Sequence, residues 1–260
     1  MADRDESARA FYDGLASGYD AIYDDWWQAA REHARVIDAV LTNEGIARDA
    51  RLLDCACGIG TQAIPLAQSG YRVTGTDISA SAIERAAREA SARGVELELA
   101  VADMRELGDA VLDRFDAVIA CDNAIPHLLD DRDLDAALSA VSTVLLPGGL
   151  FLASVRDYDR LRARHATGVV PVLRTRAEGR EIVGQAWEWH DDGERLRIHL
   201  FVLRERAGGW RTEMHTTWYR ALTRDALTRA LERARFDEIH WIPPEQSGYY
   251  QPIVTAHRQA

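Results

Sequence analysis

Two carboxylates and a turn of small residues stand where chemistry can be done in this chain of 260 residues. The stretch Arg51–Thr61, RLLDCACGIGT, runs from an apolar strand pattern at Leu52 and Leu53 through Asp54 into a turn holding Cys57, Gly58 and Gly60. Glycine is needed there because a side chain would keep the backbone from approaching a ligand at the start of the next helix. Thr61, Ile64, Leu66 and Ala67 carry the apolar pattern of that helix. Tyr71 to Thr76 then reads as a second short strand, and Asp77 at its end is placed to accept hydrogen bonds from two ribose hydroxyls. Strand, glycine turn and helix together are the start of a nucleotide-binding α/β unit. A dinucleotide is disfavoured, since the third glycine of its fingerprint is missing and Asp54 sets a negative charge beside a turn that would otherwise take phosphate.

A ligand with a ribose and a cationic or zwitterionic tail fits better, and S-adenosylmethionine is the common one. Further segments follow in order: VADM at Val101 to Met104, FDAVIA at Phe115 to Ala120 and LLPGGL at Leu145 to Leu150. With the glycine motif and Asp77, these make the chain resemble the class I methyltransferases that use S-adenosylmethionine. The resemblance implies a pocket for that cofactor, with S-adenosylhomocysteine as product. It implies Asp77 on the ribose, Ile78 beside it, Asp103 accepting from the adenine amine and Met104 packing on the ring. It also implies an aromatic N-terminal lid carrying Tyr19 and Trp27, and Arg31 holding the cofactor's carboxylate. NAIPHL at Asn123 to Leu128 and SVRDYDRL at Ser154 to Leu161 are similar to the glycine N-methyltransferases and their glycine/sarcosine relatives. This narrower likeness implies Arg156 on a substrate carboxylate, Asn123 orienting the acceptor, Tyr219 lining the pocket from above, and His127 as a candidate for catalysis. One position departs from it: Asp157 stands where that group has asparagine, and the added negative charge favours a cationic amine instead.

Plainer readings stand beside these. Trp26 reads as packing between helix and sheet, and the other N-terminal aromatics as lid or packing. Arg31 and Arg35 lie one turn apart, so either meets a carboxylate or both are solvated. Asp103 reads also as a loop acid, and His127 as a locally satisfied imidazole. Arg156 has Asp157 and Asp159 close in sequence for a surface pair of little worth.

Composition narrows the partners. The 31 basic residues are all arginines and face 42 acids, a formal net charge of −11, which disfavours a polyanionic partner and favours a small acceptor over nucleic acid. The absence of lysine excludes Schiff-base chemistry and a phosphate-loop lysine. Cys55, Cys57 and Cys121 fall at strand ends with no histidine at ligand spacing, so no metal is expected, and they read as small apolar lining of the pocket in a reducing cytoplasm. Neither a signal peptide nor a membrane span is expected from the polar start and the lack of a long apolar run. Oligomeric state stays open, a homo-oligomer included.

The expected fold is α/β, a Rossmann-like doubly wound sheet of seven mostly parallel strands with one antiparallel member. One domain spans the chain. Residues 1–50 form a helical lid, helical from Glu6 to Asn43; residues 51–155 form the cofactor-binding core. In that core Ser79 caps a helix to Ala92, Val95 to Val101 is the third strand, Phe115 to Cys121 the fourth, and Arg132 to Leu145 a helix stopped by Pro147, Gly148 and Gly149. Pro126 keeps Asn123 and His127 on a loop at the fourth strand's end. Residues 156–220 alternate over Glu181–Trp189, Arg195–Leu203 and Arg211–Tyr219, an inserted antiparallel meander that roofs the site. Residues 221–260 supply a helix from Leu222 to Ala234 and a closing hairpin, Glu238–Ile242 and Gln251–Ala256. The expected function is methyl transfer to a small molecule, with an amine nitrogen of an amino acid or related metabolite as acceptor. Oxygen or carbon acceptors are the alternative, as is a module that binds the cofactor without reacting or a subunit serving a partner.

Overall fold

The computed structural model describes residues 2–177 and 179–259, with residues 2–7 by their backbone alone. Seven strands form the main sheet: β1 (Arg51–Asp54), β2 (Arg72–Asp77), β3 (Glu98–Val101), β4 (Phe115–Ala120), β5 (Leu145–Ser154), β10 (Phe236–Ile242) and β11 (Ile253–Arg258). Their order is β10-β11-β5-β4-β1-β2-β3, and β11 runs antiparallel to both neighbours while the other pairings within the core are parallel. The order reverses between β1 and β4, the switch point at which open α/β sheets bind ligands beyond the strands' carboxyl ends.

Central strands are covered on both faces, so their residues are apolar throughout rather than alternating. Leu53, Val118, Phe151 and Val254 point to one side, where α6 (Asp131–Val144) and α8 (Arg224–Arg233) pack with Leu134, Leu138, Leu227 and Leu231. Leu52, Ala117, Ile119, Leu152 and Ile253 point to the other, against α2 (Trp26–Asn43) and α3 (Ala63–Gln68). Pro65 sits within the first turn of α3, where its missing N–H has no partner to lose. The helix α4 (Ala80–Ala92) starts at Ser79, whose hydroxyl accepts from the Ala82 N–H at 3.1 Å.

Several boundaries differ from the sequence reading. The N-terminal helical pattern divides into α1 (Ala2–Leu15), a 3₁₀ turn at Ala16–Ile22 and α2, because Asp25 turns extended and caps α2 through the Gln28 N–H. The third strand starts at Glu98 rather than Val95, whose N–H closes the end of α4 on the Ala90 carbonyl. Strand β5 takes in Leu145 to Gly149, with a register shift against β4 where the proline and glycines lie. Short helices α5 (Leu107–Ala110) and α7 (Tyr158–Ala163) link the strands, and α9 (Pro244–Ser247) precedes β11.

The inserted sheet has four strands where the alternation showed three: β6 (Gly168–Arg176), β7 (Gly179–Trp189), β8 (Arg195–Arg206) and β9 (Gly209–Arg220), paired antiparallel in that order. Strand β6 escaped notice because it is an edge with neither face buried, so it has no alternation, and it contains Pro171. The inner face of this sheet is greasy, with Leu196, Ile198, Leu200 and Val202 buried, and the N-terminal lid packs on it through Phe11, Leu15 and Ala21. Two arginines of β6 hold the lid in place. Arg174 donates to the carbonyls of Ala21 and Ile22 and pairs with Asp24, and Arg176 donates to the carbonyls of Tyr23 and Asp24. Among the described residues no helix is long and apolar enough to cross a membrane.

Candidate active site

A cleft of about 990 Å³, counting the space open at its mouth, lies beyond the carboxyl ends of β1, β2 and β4. Its floor is the glycine turn. Gly58 and Gly60 both hold positive φ, 53° and 91°, and at Gly60 a Cβ would meet Ile64 at 2.5 Å, so the second glycine is fixed by packing against α3. A Cβ on Gly58 would meet nothing, since that position faces the cleft. Asp77 ties the turn to β2: one carboxylate oxygen accepts from the Gly58 N–H at 2.8 Å and the other from the Ser79 N–H at 2.9 Å. Each oxygen keeps a lone pair toward the cleft, where two vicinal hydroxyls would find them. Burial raises the Asp77 carboxyl above its usual range, and the two N–H groups pull it back.

Asp54 lies one layer deeper, 1% exposed. Among the described residues its one hydrogen bond is a long one from the Ala56 N–H, 3.4 Å, and its second oxygen has no partner. Burial pushes this carboxyl up to about 8, with the charges of Asp77 and Asp122 adding to the effect. Cys55, Cys57 and Cys121 line the same floor as free, buried thiols, held in the neutral form by burial. Asp103 and Met104 close the side. Asp103 accepts from Arg105 through the backbone N–H and the guanidinium, at 2.5–3.0 Å, which outweighs its burial and keeps it below the usual carboxylate range. No group of three or more His, Cys, Asp or Glu side chains suited to a metal occurs among the described residues.

Of the residues singled out for the cofactor, Tyr19, Cys57, Gly58, Asp77, Ile78, Asp103, Met104 and Cys121 line the cleft, while Asp54 and Gly60 support its floor from behind. Trp27 and Arg31 do not reach it. Helix α2 buries the stripe Trp26, Ala30, Ala34, Ile37 and Leu41, which turns Arg31 to solvent. Trp27 packs beside Trp26 with the Arg93 guanidinium 4.1 Å above its ring, on the outer wall rather than over the ligand. Trp26 itself donates to Thr61 Oγ1 at 3.0 Å, the packing role read from the sequence.

The acceptor side gathers at the lid, the β4 loop and the inserted sheet. Asn123 is buried with both ends of its amide used: its oxygen accepts from the Arg156 N–H at 3.0 Å and its nitrogen donates to Tyr158 Oη at 2.9 Å. Both amide groups are thus engaged within the protein, where they tie the Arg156 backbone to Tyr158. His127 is brought to the cleft, with Tyr12 Oη 2.9 Å from Nε2 and the Tyr219 ring 4.3 Å from its own. Burial lowers its pKa to about 3, which favours the neutral imidazole beside the Tyr12 hydroxyl. Tyr219 lies 3.4 Å, oxygen to oxygen, from Tyr12.

Arg156 stands behind this pair. Its Nη2 donates to Gln185 Oε1 at 3.3 Å, its guanidinium lies over Trp187 at 5.1 Å and Tyr219 at 5.5 Å, and its buried Nη1 has no partner. Asp157 and Asp159 do not pair with it. Asp157 caps α7 and binds Arg224 at 3.1 Å, and Asp159 accepts from the Arg224 N–H. Burial works against the charged guanidinium, but Tyr158 and Tyr219 hold its pKa above the ordinary arginine value. Tyr12, Gln62, Asp122, Tyr249 and Tyr250 were not singled out, although Asp122 adjoins Asn123 at the end of β4 and the tyrosine pair precedes the last strand.

Residues 52–149 match the family model described as a methyltransferase domain. A glycine/sarcosine N-methyltransferase of Parasynechococcus marenigrum is 32% identical over 161 residues, 62% of this chain and 56% of that protein. A ubiquinone biosynthesis O-methyltransferase of Methylocella silvestris is 31% identical over 179 residues, 59% of this chain and 68% of that protein. The chain spans a little over half the length of the first curated relatives it matches. In fold it is similar to an S-adenosylmethionine-dependent methyltransferase of Clostridium acetobutylicum, with a TM-score of 0.77 at 17% identity over 94% of this chain and 99% of that one. With the tied glycine turn, the acid at the end of β2 and the strand order in place, the chain belongs to the class I S-adenosylmethionine-dependent methyltransferases.

Proposed function

We propose that the protein methylates the nitrogen of a small amine that carries a carboxylate, an amino acid or a close relative of one. The observation that carries this reading is the Arg156 guanidinium, partly buried, with an unpartnered Nη1 and no acid against it among the described residues. An unpaired cation in a partly dry site costs free energy unless an anion joins it, and the planar fork of arginine suits a carboxylate. The likeness to proteins named glycine/sarcosine N-methyltransferases points the same way.

The cofactor supplies a methyl group already activated on a sulfonium. What remains for the protein is alignment in a water-poor space. Asp77 and the glycine turn fix the nucleoside, and Tyr12 and Tyr19 of the N-terminal segment cover the reacting region. Arg156 holds the acceptor's carboxylate so that its nitrogen meets the methyl group in line. The amine loses a proton to solvent before attack, its lone pair forms the new N–C bond, and the electron pair of the breaking C–S bond stays on sulfur. An oxygen acceptor is the second reading, favoured by the O-methyltransferase relative. Release of S-adenosylhomocysteine with glycine, sarcosine and larger amino acids, against the matching hydroxy acids, separates the two. Turnover with hydroxy acids alone would replace the nitrogen reading, and no turnover with any acceptor would leave a module that binds the cofactor.

A further inference from the structure

Arg156 is the cation proposed for one end of the acceptor, and Asp122 puts an opposite charge in the cleft. Asp122 and Asn123 both hold left-handed backbone, with φ of 56° and 71°, a costly arrangement for two successive non-glycine residues. It sends the two side chains apart: Asn123 turns inward to Arg156 and Tyr158, and Asp122 turns into the cleft. The Asp122 carboxylate collects four donors. Tyr249 Oη at 2.5 Å and Tyr250 Oη at 2.8 Å meet one oxygen, while Gln62 Nε2 at 2.9 Å and Tyr23 Oη at 3.5 Å meet the other.

All four donors are neutral. Among the described residues no arginine or histidine reaches Asp122 at ion-pair distance, although arginines meet acids over much of this molecule. Tyr249 and Tyr250 reach the carboxylate with their hydroxyl ends, and their rings pack with His33 behind them: His33 stacks on Tyr250 at 5.0 Å and 21°, and Tyr249 lies 5.0 Å from both rings. A carboxylate among phenol oxygens and aromatic faces suits an organic ammonium, through Coulomb attraction and the rings' negative faces together. A metal ion would want more charged oxygens than one acid supplies. Asp122 and Tyr12 both line the cleft, Tyr12 Oη lies 3.4 Å from Tyr219 Oη, and the Arg156 guanidinium lies 5.5 Å from the Tyr219 ring, so Arg156 stands one side chain back from the cleft that Asp122 enters.

We infer that Asp122, walled by Tyr23, Tyr249 and Tyr250, is the subsite for the ammonium end of a zwitterionic acceptor whose carboxylate Arg156 holds. This rests on the proposed function and sharpens its acceptor class to amines that arrive charged. The cofactor's own ammonium has the same chemistry, and the titrations below separate the two.

The test titrates protein loaded with S-adenosylhomocysteine with sarcosine, methylammonium and acetate, by calorimetry or NMR. Asp122→Asn keeps the volume and tolerates left-handed backbone. It is expected to weaken sarcosine and methylammonium by roughly ten-fold or more, the loss of a charged partner, while acetate and S-adenosylmethionine stay within about two-fold. Arg156→Met is expected to do the reverse, weakening acetate and sparing methylammonium. Tyr250→Leu changes a residue that is 55% exposed, so it serves if the Asp122 variant does not fold; a loss of about three-fold for methylammonium is expected from the missing ring. Wild-type protein that fails to bind methylammonium, or unchanged affinity in the Asp122 and Tyr250 variants, overturns the inference. A ten-fold loss confined to S-adenosylmethionine assigns Asp122 to the cofactor's ammonium and overturns it equally. Failure of the nitrogen reading looks different: both amines bind through Asp122, yet no methyl group reaches nitrogen.

Discussion

The floor of the cleft and its roof are built in different ways. The floor is made by backbone and by side chains at strand ends, close to one another in sequence: Asp54, the Cys57–Gly60 turn, Asp77 and Asp103. The roof is made by single side chains from distant segments, Tyr12 from α1, His127 from the β4 loop, Arg156 after β5, and Tyr219 from β9. A floor of this kind fixes an invariant ligand through main-chain geometry. A roof of this kind can take a different acceptor with a few substitutions, without disturbing the sheet.

If the two halves are separate devices, substitutions should divide cleanly between them. The largest effect is expected at Asp77→Ala, which removes the ribose acceptor and leaves the Gly58 and Ser79 N–H groups without partners. Cofactor affinity should fall by roughly 100-fold, the upper end for hydrogen bonds to a charged group. Calorimetry on the folded variant checks this, and an unchanged dissociation constant would remove Asp77 from the cofactor site. Next comes Arg156→Lys, which keeps the charge and loses the fork. KM for a carboxylate acceptor should rise about ten-fold while cofactor affinity stays put; steady-state kinetics showing an unchanged KM would make Arg156 structural.

The same division governs what the sequence could show. The places of Gly58, Asp77 and Asp103 in the cleft are legible because they follow from local position, at the end of a strand or inside a tight turn. Arg31 and Trp27 were misplaced because the phase of α2 is set by which stripe packs on the sheet, and the choice of Trp26, Ala30 and Ala34 turns both away. His127 lies in the cleft as its loop position suggested, but its loss of basicity comes from burial under Tyr12 and Tyr219, which meet it only in the fold. The ring around Asp122 was illegible for a similar reason, since Tyr23, Gln62 and Tyr249 converge from three separate segments. Strand β6 was missed because an edge exposed on both faces has no pattern to read.

A third, smaller effect separates floor from roof by pH. Asp54 has a folded-state pKa of about 8 against an ordinary value near 3.8, so its neutral form is favoured in the fold. Its contribution to stability is full below the unfolded pKa and is lost as pH rises through about 8. Asp54→Asn cannot ionise and escapes that loss. The melting temperature of the variant, relative to wild type without cofactor, should therefore climb by several degrees from pH 5 to pH 9. Parallel melting curves across that range would show that Asp54 ionises normally. The smallest effect is expected at Arg31→Ala, with cofactor affinity within about two-fold of wild type because the side chain is solvated on α2. A ten-fold loss by calorimetry would bring α2 into the cofactor site.

The most direct measurement compares two acceptors that differ only in the carboxylate, sarcosine and dimethylamine, in wild type and in Arg156→Met, with a methyl-labelled cofactor and the label located by NMR. The expected result is label on nitrogen, with wild type preferring sarcosine by roughly 100-fold in kcat/KM and the variant losing most of that preference, the worth of a charge-assisted bidentate pair. Label on oxygen, or equal turnover of the two amines by wild type, would contradict the proposal that Arg156 selects a carboxylate-bearing amine.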